Sequence, residues 1–252
     1  MKSTFLHQVF KRLRRKGHTN NFRRREECET LIRWLDAGPD DHILDIGCGN
    51  GDLDFRIAQT GARIVGIDVN REALSVANTA NAGERTEFHY MNAETLSFAD
   101  ESFDKAISFC VIEHFEREDR ALAEIARVLK PGGLFVFSAD SLSNPEVTDE
   151  ERASHRRRYS VNTFYNREIA GEKLNAAGFD TLRTRFILTH PISLGLARFS
   201  WKLDDLPPWA DFVSDIGYFA ANIAGRTVAS LAEMAARRQD SGLTLLVMAR
   251  KR

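Results

Sequence analysis

Cysteine is scarce in this chain. Only Cys28, Cys48 and Cys110 stand among 252 residues, far apart and without a C-x-x-C pair. That spacing excludes a disulfide framework and offers no paired-cysteine zinc site, so no metal is expected. Three unpaired thiols fit a reducing cytoplasm. Proline is also rare, at six residues, and 16 glycines do not make a linker protein. No run of 18 residues is free of charge, which argues against a membrane span. The basic first residues are not followed by the apolar core of a secretory signal, so a cytoplasmic protein is expected.

What is present is an ordinary globular composition, 43% hydrophobic and 28% charged. The length suits one α/β domain or two small ones. Net charge is only −1 but unevenly spread. The first 25 residues hold nine Lys or Arg and no acid, leaving 26 basic against 36 acidic residues in the rest. Phe5, Leu6, Val9, Phe10 and Leu13 fall at helical spacing ahead of Lys11 to Lys16. A basic amphipathic helix of this kind either lies on an anionic surface or caps the core.

Beyond residue 26 the chain alternates helix and strand. Helical periodicity runs from Glu26 to Ala37, then through Asp52–Gln59, Arg71–Ala80, Asp119–Leu129 and Asn162–Ala177. Apolar, β-branched runs predict strands at His42–Ile46, Ala62–Ile67, Thr86–Met91, Phe103–Phe109, Leu134–Ser138, Phe179–Leu188 and Leu243–Ala249. Ser138–Ser160 is polar, carries Asn144-Pro145 and is predicted as a loop. Repeated β-α units with buried strands imply a parallel sheet covered on both faces. About 50 residues separate the last two strands, too many for a plain loop, and Phe212–Ala235 reads as helical within them. The expected organisation is therefore a basic segment over 1–25, one domain over 26–190 and 241–252, and a helical insertion over 191–240.

Residues 43 to 52 read I-L-D-I-G-C-G-N-G-D, a strand, a glycine-rich turn and a helix start. Gly47, Gly49 and Gly51 allow a sharp turn and close approach of a ligand. Asp68 ends the next strand, where a carboxylate can accept from both hydroxyls of an adenosine ribose. The glycines are not spaced G-x-G-x-x-G, and Asp45 stands two positions ahead of the first. Asp45 would repel a pyrophosphate and suits an ammonium group. There is no G-K-S or G-K-T phosphate loop. The ligand expected is an adenosine with a zwitterionic amino-acid tail.

These residues resemble the class I S-adenosylmethionine-dependent methyltransferases of the small-molecule type. The glycine turn is similar to the family's first motif and Gly66-Ile67-Asp68-Val69-Asn70 to its second. Met91 to Asp104 and Val128-Leu129-Lys130-Pro131-Gly132-Gly133-Leu134 supply two more matches. Where the family commonly has Asp-Ala, this chain has Asn92-Ala93, and Asn92 can still accept a hydrogen bond through its amide oxygen. The resemblance implies a Rossmann-like, mostly parallel sheet of seven strands in the order 3-2-1-4-5-7-6, the last antiparallel, with helices on both faces. It implies S-adenosylmethionine as cofactor and S-adenosylhomocysteine as product. The cofactor residues it implies are Asp45, Gly47, Cys48, Gly49, Gly51, Asp68, Val69, Asn92, Ala93, Glu94, Phe109 and Cys110.

A general base is needed for only some acceptors. His114, just after the fourth strand, is the first candidate, against the alternative that Glu113 and His114 order the next segment. His155 and Tyr159, in H-R-R-R-Y-S, are the second; this run resembles a family segment that precedes a helix ending in Ala-Gly-Phe, here Ala177-Gly178-Phe179. Arg156, Arg157 and Arg158 suit an anionic acceptor or simply face solvent. No Asp/Asn-Pro-Pro-aromatic run follows the fourth strand, and Leu206-Pro207-Pro208-Trp209 is out of place for one, so nucleic acid is not the expected partner. The expected reaction is methyl transfer to a small molecule, first to oxygen, with a lipid-like or quinone-type acceptor suggested by the apolar insertion. Residues 1–16 and 191–235 are the expected peripheral membrane contacts. An RNA or protein methyltransferase, or a non-catalytic cofactor-binding protein, are the alternatives. The oligomeric state is not legible.

Overall fold

A computed structural model describes residues 22–204, Gly217 and 240–252. The N-terminal segment over 1–16 and the helix expected at 212–235 lie outside the described residues. In chain order the elements are α1 (Phe22–Leu35), β1 (His42–Ile46), α2 (Asp52–Ala58), β2 (Arg63–Asp68), α3 (Arg71–Ala80), β3 (Thr86–Tyr90) and β4 (Phe103–Phe109). A 3-10 turn (Ile112–His114), α4 (Glu118–Val128), β5 (Leu129–Asp140), α5 (Asp149–Tyr159), α6 (Arg167–Ala176), β6 (Phe179–Ile187), α7 (Pro191–Asp204) and β7 (Thr244–Lys251) follow. One seven-stranded sheet runs β3-β2-β1-β4-β5-β7-β6, with β7 antiparallel to both neighbours and the other pairs parallel. The expected strand order and the reversed last strand are therefore present. Among the described residues, no helix is long and apolar enough to cross a membrane.

The period-2 alternation of a strand sorts the core into two layers. Leu44, Ile46, Val65, Ile67, Phe135 and Phe137 face α4 and α6, meeting Leu122, Ile125, Ala170 and Leu174. Ile43, Ile64, Ile107 and Val136 face α1, α2 and α7, meeting Leu31, Leu35, Ile57 and Leu194. Asp45, between Leu44 and Ile46, thus points into the α1–α2 layer.

Three expectations need correction. Ser138–Ser160 is not a loop: its second half is α5. The helix is nearly all polar, so no apolar stripe announced it, and His155 is its buried residue. Its start is set by a capping box, Thr148 Oγ1 accepting from Glu151 N and Glu151 Oε2 from Thr148 N. The helix expected from Asn162 begins at Arg167 instead. Asn166 caps it by accepting from Ile169 N at 2.8 Å, while Tyr165 N donates to Asp140 O and holds 161–165 extended. The strand expected at Leu134–Ser138 extends over Leu129–Asp140, because Pro131-Gly132-Gly133 is absorbed as an irregularity in the β4–β5 register rather than as a separate turn.

Candidate functional site

The strand order reverses between β1 and β4, which opens a crevice at the carboxyl ends of the strands. The glycine turn lies there. Gly47 N and Cys48 N both donate to Ile67 O, at 2.8 and 3.0 Å, tying the turn to the end of β2. Gly47, Gly49 and Gly51 all have left-handed backbone, with φ of +77°, +58° and +75°. A Cβ on Gly47 would stand 2.4 Å from Val111, and one on Gly51 would stand 2.5 Å from Phe88. Gly49 is different, since a Cβ there would meet nothing within 4 Å. The tip of the turn therefore borders open space.

Asp68 latches this turn. Its Oδ2 accepts from Gly49 N at 2.8 Å and its Oδ1 from Asn70 N at 2.7 Å. Val69 follows and is 60% exposed. Asn92 is exposed and turns Oδ1 to Glu94 N at 2.9 Å; Glu94 accepts from Arg117 N at 3.1 Å. The amide oxygen of Asn92 keeps a second lone pair. Ala93 is buried beneath them, and Cys48 packs with Leu74, Ala77 and Phe88. Asp45 is fully buried, and its Oδ1 has no hydrogen-bond donor among the described residues. Burial and the neighbouring Asp54 carboxyl push its pKa well above the usual carboxylate range.

These features fit an adenosine with an ammonium-bearing tail. An acidic latch stands where ribose hydroxyls would come, an exposed apolar face where a base would stack, and a buried, donorless carboxylate oxygen where a cation would dock. The fit rests on Asp45 Oδ1, which has no hydrogen-bond donor among the described residues, and on Gly49, which faces room.

At the end of β4 the chain turns sharply at Cys110, whose φ is +49°. Phe109 is half-buried against the α1–α2 layer. The Cys110 thiol donates to Glu27 Oε1 of α1 at 3.1 Å, and burial followed by the Glu27 charge holds it protonated. It is no nucleophile in this state. Ser138 Oγ donates to the same Glu27 oxygen, and Arg24 reaches Glu27 at 3.3 Å. Cys110, Glu113 and Asp140 bring their donor atoms within 4.8 Å of one another. The Arg24 cation interacts electrostatically with all three.

Glu113 is fully buried. Its Oε1 accepts from Asp140 N at 3.1 Å, and its carbonyl accepts from Asn162 N and Thr163 N. It ties the 3-10 turn to β5 and to the segment before α6. His114 is half-buried, with Nδ1 3.3 Å from Ser160 O. His155 is buried, with Nε2 2.6 Å from Asp140 Oδ2. Its ring centroid lies 4.5 Å from that of Tyr159 and 5.5 Å from that of Trp201. His155, Tyr159, Arg158, Arg198, Trp201 and Lys202 line a cleft of about 280 Å³ between α5 and α7.

The sequence-predicted cofactor residues thus gather at the ends of β1 to β4, and His114, His155 and Tyr159 gather around the end of α5. Glu27, Asp54 and Asp140 belong to the same region and were not anticipated. Glu27 and Asp54 do carry a sequence signal. Glu27 shares the stripe of Leu31 and Leu35, and Asp54 the stripe of Ile57 and Ala58, so each is an acid on an apolar helix face.

Residues 44–137 match the family model described as a methyltransferase domain. The O-methyltransferase resE of Aspergillus sclerotiorum is 33% identical over 153 residues, covering 59% of this chain and 58% of that protein. The ubiquinone biosynthesis O-methyltransferase of Agrobacterium fabrum is 36% identical over 99 residues, covering 38% of this chain and 39% of that protein. The matched stretches span about half the length of these relatives. Among solved structures, the [4+2]-cyclase SpnF shares the fold with a TM-score of 0.66 and 23% identity, over 90% of this chain and 80% of that one.

Proposed function

We propose that this chain, whose residues 44–137 match the methyltransferase-domain model, is a class I S-adenosylmethionine-dependent enzyme that transfers the cofactor's methyl group to a small-molecule acceptor, at oxygen. The reading is carried by the glycine turn latched to Asp68 beside the donorless Asp45 oxygen. When bound, S-adenosylmethionine supplies an electrophilic methyl on a sulfonium for in-line displacement. Asp68 receives the ribose, Asn92 the adenine amino group, and Val69 packs on the ring. Residues at the end of β4 and in α5 hold the acceptor in line. Such orientation contributes several of the roughly 7–11 kcal/mol that positioning can supply.

His114 takes the proton of the acceptor hydroxyl. With Nδ1–H directed at Ser160 O, the neutral tautomer leaves the Nε2 lone pair available. His155 has its Nε2 committed to Asp140 and, with Tyr159, lines the acceptor's side of the site. His114→Ala should lower turnover about 10²–10⁴-fold with S-adenosylhomocysteine affinity unchanged. Full turnover in that variant would remove the base role.

A lipid-like acceptor is favoured by α7, which lines the cleft through Arg198, Trp201 and Lys202 and exposes Ile192 and Phe199. The test of the whole reading is transfer of label from radiolabelled S-adenosylmethionine into a protease-treated cell extract, followed by partition. Label in the organic phase supports the apolar acceptor, label in the aqueous phase refutes it, and no label in either refutes methyl transfer to a small molecule.

A further inference from the structure

We propose that Asp54 belongs to the cofactor site, as the partner with which Asp45 shares a proton that leaves when an ammonium group docks. The proposal rests on the cofactor reading above and adds a residue and a proton to it. Asp45 points from β1 into the α1–α2 layer, and Asp54 points from the buried face of α2 towards it. Asp45 is 1% exposed and Asp54 0%. Neither Asp54 oxygen has a hydrogen-bond donor among the described residues, and neither has Asp45 Oδ1.

Two carboxylates buried side by side cannot both ionise at ordinary cost. One proton held between them joins one oxygen of each carboxyl in a hydrogen bond. The surroundings favour keeping that proton. Asp68 from β2 and Asp52 from α2 are acidic, the buried thiols of Cys48 and Cys28 are neutral, and the nearby Arg56 lies on the exposed face of α2. Burial pushes Asp54 up to about 7 and raises Asp45 with it.

A docking ammonium offers the same thing as the proton: a positive charge and N–H donors. It enters as –NH3+ and the carboxyl proton leaves to solvent, so charge and protons balance. The sign follows from linkage. The pair's pKa is raised in the free chain and lowered in the complex, so binding releases a proton wherever the free pair is still protonated, and affinity rises with pH through that range by at most about tenfold per pH unit. Once the free pair has lost its proton, affinity levels off.

The test is calorimetric titration of the full chain with S-adenosylhomocysteine at pH 6.5, in two buffers of different ionisation heat. Wild-type binding should release most of a proton. Asp54→Asn, which keeps the shape, should bind with no proton release and with affinity flat from pH 6 to 8. A wild-type chain that binds without releasing a proton overturns the proposal, and so does release that persists in Asp54→Asn. The wild-type count needs no variant, so it decides even if Asp54→Asn does not fold. Absence of binding at every pH would overturn the cofactor reading and this inference with it.

Discussion

Gly47→Ala should be severely destabilising. At φ +77° an L-residue costs about 1–2 kcal/mol. The new Cβ would stand 2.4 and 2.8 Å from the two methyls of Val111 and 3.1 Å from its Cβ. Val111 is β-branched and cannot swing clear, so overpacking adds about 1–3 kcal/mol. The sum, about 2–5 kcal/mol, corresponds to a fall in Tm of roughly 5–15 °C. Gly49→Ala is the control. It shares the left-handed backbone, but its Cβ meets no atom within 4 Å, so only the strain remains. Thermal denaturation of the two variants separates collision from strain. Equal losses would mean that Val111 yields freely. Gly49→Ala should still weaken S-adenosylhomocysteine, because its methyl would occupy room left for the ligand.

Asp68→Ala should weaken S-adenosylhomocysteine binding by about 1.5–3 kcal/mol, roughly ten- to a hundredfold in Kd. The carboxylate has two tasks. It accepts from Gly49 N and Asn70 N, and so holds the turn and the start of α3. It also stands at the end of β2, beside the crevice where ribose hydroxyls would come. The variant loses charged hydrogen bonds to the ligand and loosens the turn that borders it. Titration calorimetry measures the change. Unchanged affinity would remove Asp68, and with it the latch, from the cofactor site.

Where local pattern and tertiary demand coincide, the chain was legible. β1, β4 and α3 fall on the predicted bounds because each is a short run with one period and clear ends, such as Asn70 accepting from Glu72 N and Ala73 N at the start of α3. The glycine turn was legible because positive φ leaves few residues to choose from. α5 was not, since a helix that buries little more than His155 has no stripe to read. Its role depends on a pairing 15 residues apart, His155 with Asp140, that only the end of β5 brings about. The Asp45–Asp54 pair was half visible. Asp45 could be assigned from its motif, but its companion needed the direction in which β1 points a side chain. Glu27 lies 83 residues from Cys110 and 111 from Ser138, and nothing in local sequence joins them.

The place of β7 in the sheet has a consequence for how the protein is made. β6 pairs with β7 alone, and β7 stands between it and β5. While the chain is emerging from the ribosome, β1 to β5 can assemble in order, because every parallel partner has already been synthesised. β6 then has no seat. Its backbone donors stay with water until residues 244–251 arrive and are threaded between two strands already made. Closure of the sheet is therefore a late, non-local event that waits on translation of the final strand. Until then β5 offers an unpaired edge, which a holding chaperone would shield.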